Sequence, residues 1–299
     1  MFKILEKKNL NESIYLMKIH APRVAKKANP GQFIILRTDS EGERIPLTIA
    51  DYDKDEGSVT IVVQSIGEST KELSKYDEGE YIKDFVGPLG KASDFINEDL
   101  EKLKEKKMIF IAGGVGAAPI YPQVKWLHNR GIEVDVIVGA RTKELLIFEN
   151  ELKEVSKNLY IGTDDGSYEF NGRVTDILKD LVLKKGKKYD KAVVIGPMIM
   201  MKFMCELTKN LEIPTIVSLN PIMVDGTGMC GACRVTVGGK VKFACVDGPE
   251  FDGHLVDFDE SMRRQVMYKT EEGRALLRKK EGTSHSHGGC GCKGDNKNE

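Results

Sequence analysis

The densest group of potential metal ligands in this chain is the stretch DGTGMCGAC, which runs from Asp225 to Cys233. It contains Cys230 and Cys233, and Cys245 follows after eleven intervening residues. The chain has six cysteines, so half of them fall in this short segment. Thiolates bind zinc and iron, and a carboxylate can complete such a site. These residues therefore predict a metal centre with three cysteine ligands and Asp225 as the candidate fourth ligand.

The spacing of these residues indicates which metal centre they form. Plant-type two-iron clusters use cysteines in a C-x4-C-x2-C pattern with a later fourth cysteine. This chain has Asp225-x4-Cys230-x2-Cys233-x11-Cys245, which matches if Asp225 takes the first position. The intervening glycines allow a tight loop around a small cluster. Two alternatives stay open: a structural zinc site, and a cluster held by three cysteines with Asp225 as a bystander.

Four regions of different composition make up the chain. Residues 1–100 contain short apolar runs separated by proline, glycine and acidic turns, which predict an antiparallel β-barrel. Residues 101–217 alternate apolar strands with helical patterns, which predicts an α/β domain with a parallel sheet. Residues 218–262 are the cysteine-containing module, and residues 263–299 are expected to be a C-terminal helix and a disordered tail.

Composition and charge exclude several classes of protein. The 45 basic and 46 acidic residues nearly cancel, so nothing indicates a nucleic-acid partner. No apolar run reaches the roughly 18–20 residues that span a bilayer, and the first residues do not have the pattern of a secretory signal. We therefore expect a cytoplasmic protein without membrane segments. Disulfides are rare in the cytoplasm, so clustered cysteines indicate metal or redox ligands.

Two glycine turns in the α/β region are candidates for phosphate binding. GGVGAAP, from Gly113 to Pro119, follows an apolar strand and opens a helix, and a second such turn begins at Gly196. Both turns are expected at the carboxyl edge of one sheet, where bare backbone and helix N-termini attract phosphate. Arg141, at the end of a third strand, is expected to contact a ribose or phosphate, or to be an ordinary surface arginine. A tight turn without a ligand is the alternative.

A second set of anion-binding side chains lies in the barrel region. Arg44 precedes a proline-containing strand, and its permanently charged fork suits a diphosphate. Thr48 can offer a hydroxyl to a ring edge, and Ser69 and Thr70 add hydroxyls in the later turn GEST. A polar barrel rim without a ligand is the alternative for each of them.

Taken in order, these motifs resemble the ferredoxin–NADP reductase superfamily over about residues 1–217, with Gly87-Pro88-Leu89-Gly90 between the two sets. In that superfamily a β-barrel holds FAD and an α/β domain holds a nicotinamide nucleotide. The resemblance implies FAD contacts from Arg44, Pro46, Leu47, Thr48, Val62, Val63, Gln64, Gly67, Ser69 and Thr70. It implies NAD(H) contacts from Gly113, Gly114, Gly116, Gly139, Arg141, Gly196, Pro197 and Met200.

The position of the cysteine module after this pair of domains is similar to the electron-transfer subunit of dihydroorotate dehydrogenase. That subunit has a cysteine where this chain has Asp225. With its aspartate, the module looks closer to the small subunits of NADH-dependent reduced ferredoxin:NADP oxidoreductases. This second resemblance implies a [2Fe-2S] cluster held by Asp225, Cys230, Cys233 and Cys245. It also implies a larger flavin and iron–sulfur partner subunit, with ferredoxin as an indirect partner.

The predicted function follows from the three cofactors together. NADH gives up electrons in pairs, an iron–sulfur cluster carries one at a time, and a flavin can do both. We therefore expect an oxidoreductase subunit that moves electrons between NAD(H) and a partner in an electron-bifurcating enzyme, without a catalytic side chain of its own. The alternatives are the dihydroorotate dehydrogenase subunit and a non-enzymatic nucleotide sensor with structural zinc. The absence of an obvious basic cluster favours NADH over NADPH.

Several other residues with reactive or charged side chains lie outside the predicted cofactor sites or at their edge. Cys205 lies in a methionine-rich helical run and is expected to be a packed thiol, and His254 is expected to make a structural hydrogen bond. Asp164 and Asp165 follow a sheet strand and fit either a turn or the edge of the nucleotide site. The tail HSHGGCGC fits either metal chelation or no dedicated role.

Overall fold

The computed structural model describes residues 1–280 and places in them two seven-stranded sheets and one two-stranded sheet. The tail HSHGGCGC lies outside the described residues. No helix among residues 1–280 has the length and apolar character needed to cross a membrane.

The first sheet is antiparallel and curls into a barrel. Its strands are β1 (Phe2–Asn9), β2 (Ile14–His20), β3 (Phe33–Arg37), β4 (Ile45–Asp53), β5 (Ser58–Gln64), β6 (Tyr81–Ile82) and β7 (Asp84–Leu89). They lie in the order β6-β1-β2-β5-β4-β3-β7. Two short helices, α1 (Pro22–Lys27) and α2 (Glu68–Leu73), connect them. The β-barrel expected from the sequence is confirmed.

Successive side chains along each strand point alternately into and out of the barrel, and the inward set forms its core. On β5, for example, Val59, Ile61 and Val63 are buried in the barrel core, while Val62 packs on the outside against the second sheet. Strand β1 was not predicted, because Ile4 is the one buried residue in it and most of its later residues are charged. Its backbone pairing with β2 holds it in place despite the weak apolar pattern.

The second sheet is built from strands that alternate with helices. After α3 (Leu100–Glu105), its elements are β8 (Met108–Gly113), α4 (Ala117–His128), β9 (Asp135–Ala140), α5 (Glu149–Val155), β10 (Asn158–Thr163), β11 (Phe170–Asn171), α6 (Val174–Lys179), β12 (Lys191–Ile195), α7 (Met198–Asn210) and β13 (Thr215–Ser218). The remaining elements are β14 (Arg234–Val237), β15 (Lys240–Phe243), α8 (Ala244–Asp247), β16 (Glu250–Asp252), α9 (Phe258–Gln265) and α10 (Lys269–Lys280).

The order of this sheet is β11-β10-β9-β8-β12-β13-β16, and all neighbours are parallel except β13 and β16. The chain runs outward from β8 to β10 and then returns to place β12 on the other side of β8. The order therefore reverses between β8 and β12, and a crevice opens there at the carboxyl ends of the strands. The predicted parallel-sheet domain is confirmed.

Hydrophobic cores join these units. One core covers the face of the parallel sheet that carries α4, and it includes Ile14, Ala50 and Val62 from the barrel. The other core covers the opposite face and includes Cys233 and Cys245 beside Val217 and Leu219. The cysteine module is therefore packed into the nucleotide domain and does not hang from it as a separate lobe.

The sequence predicts one helix over residues 143–156 and another over residues 260–280, and both predictions were wrong in extent. The run from Lys143 to Ser156 contains only a short 3-10 turn and α5, because buried Ile147 and Phe148 interrupt it and Phe148 has a φ of 60°. The run from Glu260 to Lys280 is split between α9 and α10. The residues between the two helices, 266–268, are exposed, so no buried face holds one continuous helix across them.

Candidate cofactor sites

The crevice between β8 and β12 brings the two predicted glycine turns together. A Cβ added to Gly116 would lie 2.1 Å from the Ile195 carbonyl oxygen, and one added to Gly113 would lie 2.3 Å from Met200 Sδ. A Cβ on Gly196 would lie 2.6 Å from Met200 Cε. The glycines thus allow the ends of two neighbouring strands to approach each other, with Met200 lying over them.

The floor of this crevice fits a nucleotide phosphate. Gly114 has a φ of +55°, and a Cβ built on it would meet no atom within 4 Å, so its backbone faces open space. Helices α4 and α7 both begin at this edge, and neither has an acidic residue in its first turn. Two positive helix ends therefore face the space beside Gly114, as an anionic ligand requires.

The other predicted nucleotide contacts are placed differently. Gly139 faces helix α6, because a Cβ on it would lie 2.4 Å from Val174 Cγ1, so its small size is explained by packing. Arg141 is exposed at the end of β9. Asp165 accepts hydrogen bonds from the Ser167 amide at 3.0 Å and the Ser167 hydroxyl at 2.7 Å, which lower the pKa of its carboxyl. The turn role for Asp165 is therefore confirmed.

A gap between β4 and β5 lies where the flavin residues were predicted. The two strands pair only from Ile49 and Ile61 towards Asp53 and Ser58, and within the described chain no pair continues on the other side of Ile49. Residues 45–48 of β4 pair instead with β3, and residues 62–64 of β5 pair with β2. Each strand therefore turns one backbone edge, with its N–H and C=O groups, towards the gap. Such an edge fits the polar rim of a flavin ring.

Arg44 lies at one end of this gap and contacts the cysteine module. Its Nε donates to the Val224 carbonyl at 2.7 Å, and its Nη2 donates to the Asp225 carbonyl at 3.1 Å. Gly226 packs on the barrel as well, since a Cβ on it would lie 2.6 Å from Ile35 Cδ1. The loop that carries the predicted metal ligands is therefore attached to the barrel beside the predicted flavin site.

The hydroxyls predicted for the FAD diphosphate are engaged within the protein. Thr70 Oγ1 accepts from the amides of Ile66 and Gly67 at 3.1 Å each and donates to the Gly67 carbonyl at 3.0 Å. Ser69 donates to the Glu43 carboxylate. Val63 is buried inside the barrel, so only its backbone is available to a ligand in the gap. Thr70 thus shapes the turn, and its hydroxyl reaches a ligand only if these bonds are exchanged.

The Asp225 carboxylate organises the first part of the cysteine loop. Its Oδ1 accepts from the Thr227 amide at 3.0 Å, and its Oδ2 accepts from the amides of Met229 and Cys230 at 3.1 Å and 2.9 Å. These bonds, led by that from Thr227, lower the pKa of the carboxyl, and the nearby Cys230 thiol lowers it further. Asp225 is therefore ionised and adjacent to Cys230, as a shared metal would require.

The other two cysteines of the module form a second pair. Cys233 Sγ and Cys245 Sγ are 3.2 Å apart and buried, and the Cys245 amide donates to Cys233 Sγ at 3.5 Å. Burial, followed by the Cys233 thiol, raises the pKa of Cys245 to about 12. Gly226, Gly228 and Gly231 have φ values of 76°, 84° and 66°, which let the loop wrap over this pair.

The donor set of this loop fits an iron–sulfur cluster in its chemistry, although its four ligands are not gathered at one point. Among residues 1–280 no three acidic, histidine or cysteine side chains converge on a single position. The loop does bring two adjacent pairs together, Asp225 with Cys230 and Cys233 with Cys245. Sulfur ligands with backbone amides directed at them are the environment that such clusters use.

The structure also shows a polar junction that the sequence analysis missed. Glu250 Oε1 accepts from Ser93 Oγ and from Gln123 Nε2, each at 2.9 Å. Ser93 follows the barrel, Gln123 lies on α4, and Glu250 belongs to β16. Burial raises the pKa of this carboxyl to about 7. No local pattern marks Glu250, because each of its partners is more than a hundred residues away in the sequence.

The remaining predictions concern packed residues. Cys205 is buried, and burial raises the pKa of its thiol to about 12, so it is the inert core thiol that was expected. His254 Nε2 lies 3.0 Å from Thr208 Oγ1, which in turn accepts from Thr215 Oγ1 at 2.7 Å. The structural role expected for His254 is therefore confirmed.

Comparisons with known proteins agree with this arrangement. The family described as the iron–sulfur cluster binding domain of dihydroorotate dehydrogenase B matches residues 220–257, and the oxidoreductase NAD-binding domain matches residues 110–206. A dihydroorotate dehydrogenase B (NAD(+)) electron transfer subunit homolog from Thermotoga maritima is 46% identical over 90% of this chain and 92% of its own length. The chain belongs to the family of dihydroorotate dehydrogenase B electron-transfer subunits and their homologues.

Two further members extend the comparison. A protein from Clostridium beijerinckii, named only for its position in the adh 3' region, is 68% identical over 99% of this chain and 100% of its own length. A chain in the solved structure of an NADH-dependent reduced ferredoxin–NADP oxidoreductase is 44% identical, with a TM-score of 0.85, over 93% of this chain and 97% of that one. Membership in this family makes the chain an oxidoreductase electron-transfer subunit and supports the expected cofactors: FAD, a [2Fe-2S] cluster and NAD(H).

Proposed function

We propose that this chain is the small subunit of an electron-bifurcating ferredoxin:NADP oxidoreductase. In this proposal it moves electrons between NAD(H) and a larger flavin and iron–sulfur subunit in the cytoplasm, with ferredoxin as an indirect partner. The observation that carries the proposal is the attachment of the Asp225 loop to Arg44 at the edge of the β4–β5 gap. This contact supports the proposal, because it joins the loop of the candidate cluster ligands to the edge of the candidate flavin site.

The residues assigned to each cofactor are those expected from the sequence. We assign Arg44, Pro46, Leu47, Thr48, Val62, Val63, Gln64, Gly67, Ser69 and Thr70 to FAD. We assign Gly113, Gly114, Gly116, Gly139, Arg141, Gly196, Pro197 and Met200 to NAD(H), with Gly139 acting through its packing on α6. The metal ligands are Asp225, Cys230, Cys233 and Cys245.

The protein contributes placement and charge to this reaction. Bound FAD would supply the conversion between the paired electrons of NADH and the single electrons of an iron–sulfur cluster. The backbone edges of β4 and β5 would orient the flavin, the N-termini of α4 and α7 would bind the nucleotide phosphates, and the buried Cys233 and Cys245 would hold their side of the cluster away from water. We assign no catalytic side chain, because no proton transfer by the protein is needed between these carriers.

The aspartate and the structural comparison favour the ferredoxin-linked assembly. The solved chain with a TM-score of 0.85 comes from work on flavin-based electron bifurcation by an NADH-dependent reduced ferredoxin–NADP oxidoreductase. That protein gives a precedent for a ferredoxin-linked partner. Asp225 replaces the cysteine expected at the first position of a plant-type cluster, and a harder oxygen ligand alters the potential of such a centre.

A second candidate is the electron-transfer subunit of a dihydroorotate dehydrogenase. The match of residues 220–257 to that enzyme's cluster domain and the name of the Thermotoga maritima relative favour it. The two candidates share all three cofactors and differ in the partner. A partner that reduces orotate with NADH through this chain would establish the second candidate and exclude the first.

The first experiment tests the cofactors. The full chain is purified anaerobically, and its absorption, iron content and EPR spectrum are measured before and after NADH addition. We expect flavin bands, about two irons per chain and a rhombic EPR signal on reduction. A colourless protein that contains zinc would contradict the proposal and leave a nucleotide-binding protein with a structural metal.

Asp225→Asn tests the fourth ligand. An asparagine retains an oxygen that accepts the Thr227 amide but removes the anionic ligand. We expect the EPR g values to change while circular dichroism stays the same. If g values and iron content match the wild type, Asp225 only organises the loop and the cluster has three protein ligands from cysteine.

The partner is tested by reconstitution. A purified flavin and iron–sulfur subunit of the proposed class is mixed with the chain, and exchange between NADP and NAD pools is followed with and without ferredoxin. We expect exchange that depends on ferredoxin. A stable complex that exchanges the pools equally well without ferredoxin would contradict the bifurcating role while leaving the cofactor assignments intact.

A further inference from the structure

Helix α9 directs an arginine at the cysteine loop. Arg264 Nη2 donates to the Ala232 carbonyl at 3.1 Å, and Ala232 lies between Cys230 and Cys233. The helix is held firmly beneath the loop: Phe258 and Ser261 are buried, and Asp259 forms an ion pair with Lys202 of α7 at 2.7 Å. The contact therefore belongs to a packed element and not to a mobile side chain on the surface.

One nitrogen of the Arg264 guanidinium is buried without a hydrogen-bond partner. Arg264 Nε is buried and has no hydrogen-bond partner in the described part of the chain. No carboxylate within residues 1–280 forms an ion pair with this side chain. Arg264 as a whole is half-buried, and a cation that is partly withdrawn from water without a counter-ion is stabilised by anionic charge nearby.

The peptide that Arg264 contacts leads directly to a candidate ligand. Ala232 contributes its carbonyl to Arg264, and the N–H of the same trans peptide belongs to Cys233 and points the opposite way. Among the described residues this N–H has no backbone acceptor. Arg264 thus holds the peptide so that the Cys233 amide is directed away from the guanidinium.

We propose that Arg264 is a positioning residue that raises the reduction potential of the cluster. It fixes the Ala232–Cys233 peptide and places an uncompensated positive charge behind the loop. Reduction adds a negative charge to the cluster, and a fixed cation stabilises that charge. Net charge and hydrogen bonds to the sulfurs are the main determinants of such potentials. The inference rests on the proposed assignment of Cys230, Cys233 and Cys245 as ligands.

The neighbouring Arg263 provides a matched control. It lies on the same helix, carries the same charge and is exposed. The full chain and its Arg264→Gln and Arg263→Gln variants are titrated anaerobically, and the midpoint potential of the cluster is read from the EPR signal. We expect Arg264→Gln to lower the reduction equilibrium constant about tenfold, a shift of about 59 mV for one electron. Arg263→Gln should change the midpoint potential by only a small fraction of that shift.

The outcomes separate this inference from the proposed function. A wild-type chain without iron contradicts the proposed function, whatever Arg264 does. If the wild type holds a cluster and Arg264→Gln and Arg263→Gln shift its midpoint potential equally, only the role of Arg264 is overturned. An Arg264→Gln chain with unchanged iron and a lowered midpoint supports it.

If Arg264→Gln does not retain iron, Arg264→His decides the question. The introduced imidazole is charged at about pH 5.5 and neutral at about pH 8, since its ordinary pKa is about 6.5. We expect the midpoint of this variant to fall over that interval by more than the wild-type midpoint does. An equal pH dependence in the two proteins would overturn the proposal.

Discussion

The nucleotide turns and the cysteine loop are both rich in glycine, but they need it for different physical reasons. In the turns, Gly116 has an ordinary helical φ of −58°, and a side chain is excluded by the Ile195 carbonyl oxygen, which would lie 2.1 Å from an added Cβ. In the cysteine loop, Gly231 has a φ of 66°, and the nearest atom to its Cβ position is 3.7 Å away. Close packing selects glycine at Gly116, and backbone conformation selects it at Gly231.

This difference determines which substitutions each region can accept. A glycine selected by packing accepts no side chain at all, because a backbone atom of a neighbouring strand cannot move aside. A glycine selected by conformation accepts residues such as asparagine that visit the left-handed region. Sequence motifs show the same letter in both cases, so the distinction is visible only in three dimensions.

The largest predicted effect is that of Gly116→Ala. The added methyl group would push β8 and β12 apart at the crevice, and we expect a loss of about 3 kcal/mol, the upper part of the overpacking range. Thermal unfolding followed by circular dichroism measures this loss. Gly114→Ala is the control, because its Cβ position is open and only its φ of +55° is unfavourable. Equal destabilisation by both variants would contradict the packing explanation.

A pH effect is expected at Glu250, which joins helix α4 of the nucleotide domain to β16, the strand after the cysteine loop. Burial raises its pKa from 4.5 to about 7, so the folded state binds this proton more tightly than the unfolded state. Its contribution is fully present below pH 4.5 and is lost as the pH rises to about 7. At about 1.4 kcal/mol for each pKa unit, the loss is about 3 kcal/mol.

Glu250→Gln removes this dependence and keeps an oxygen that accepts from Ser93 and Gln123. We expect the variant to be more stable than the wild type at about pH 8 and to lack the decline between about pH 5 and 7, as measured by urea unfolding. Asp94→Asn, which removes an exposed neighbouring carboxylate, should retain the decline. A wild-type protein with constant stability over that interval would show that the carboxyl is already ionised in the fold.

A smaller effect is expected where the barrel contacts the cysteine loop. Arg44→Lys retains the positive charge but cannot donate from two nitrogens in one plane. We expect a loss of about 2 kcal/mol in the local stability of the loop, in the range for hydrogen bonds from charged groups. Hydrogen exchange of the amides of residues 225–231 measures this loss. The FAD content of the purified variant is determined alongside it.

Arg37→Lys is the control for that change. Arg37 is also a barrel arginine, but its Nε donates to Asp84 at 2.7 Å, away from the cysteine loop. Loop exchange should therefore be the same as in the wild type. Faster exchange in both variants would indicate a general weakening of the barrel and not a specific contact of Arg44.

The smallest effect is expected in the cysteine loop itself. Gly231→Ala should cost about 1 kcal/mol, because alanine is strained at a positive φ although there is room for its methyl group. Gly231→Asn should cost less, and both variants should retain iron in anaerobic preparations. If Gly231→Asn destabilises the loop more than Gly231→Ala does, the limit at this position is space and not backbone conformation.

Much of the fold followed from local pattern. The alternation on β5, the strand–glycine–helix sequence at Gly113 and the helical run of α7 each place their own residues on strand, turn or helix. The cysteine spacing likewise predicted one loop with a later neighbour, Cys245, packed against it. Strand β1 and the interruption before α5 escaped prediction, because pairing with β2 and burial of Phe148 decided them.

By itself, the sequence determined the order of the units and the chemical types of their candidate ligands, since both depend on neighbouring residues along the chain. Tertiary structure alone decided which distant groups meet. Arg44 contacts a carbonyl 180 residues away, Glu250 joins Ser93 across 157 residues, and Arg264 reaches Ala232 from the helix after the loop. The physical reason is that periodicity reports which face of an element is buried, whereas these contacts depend on how separately formed elements pack together.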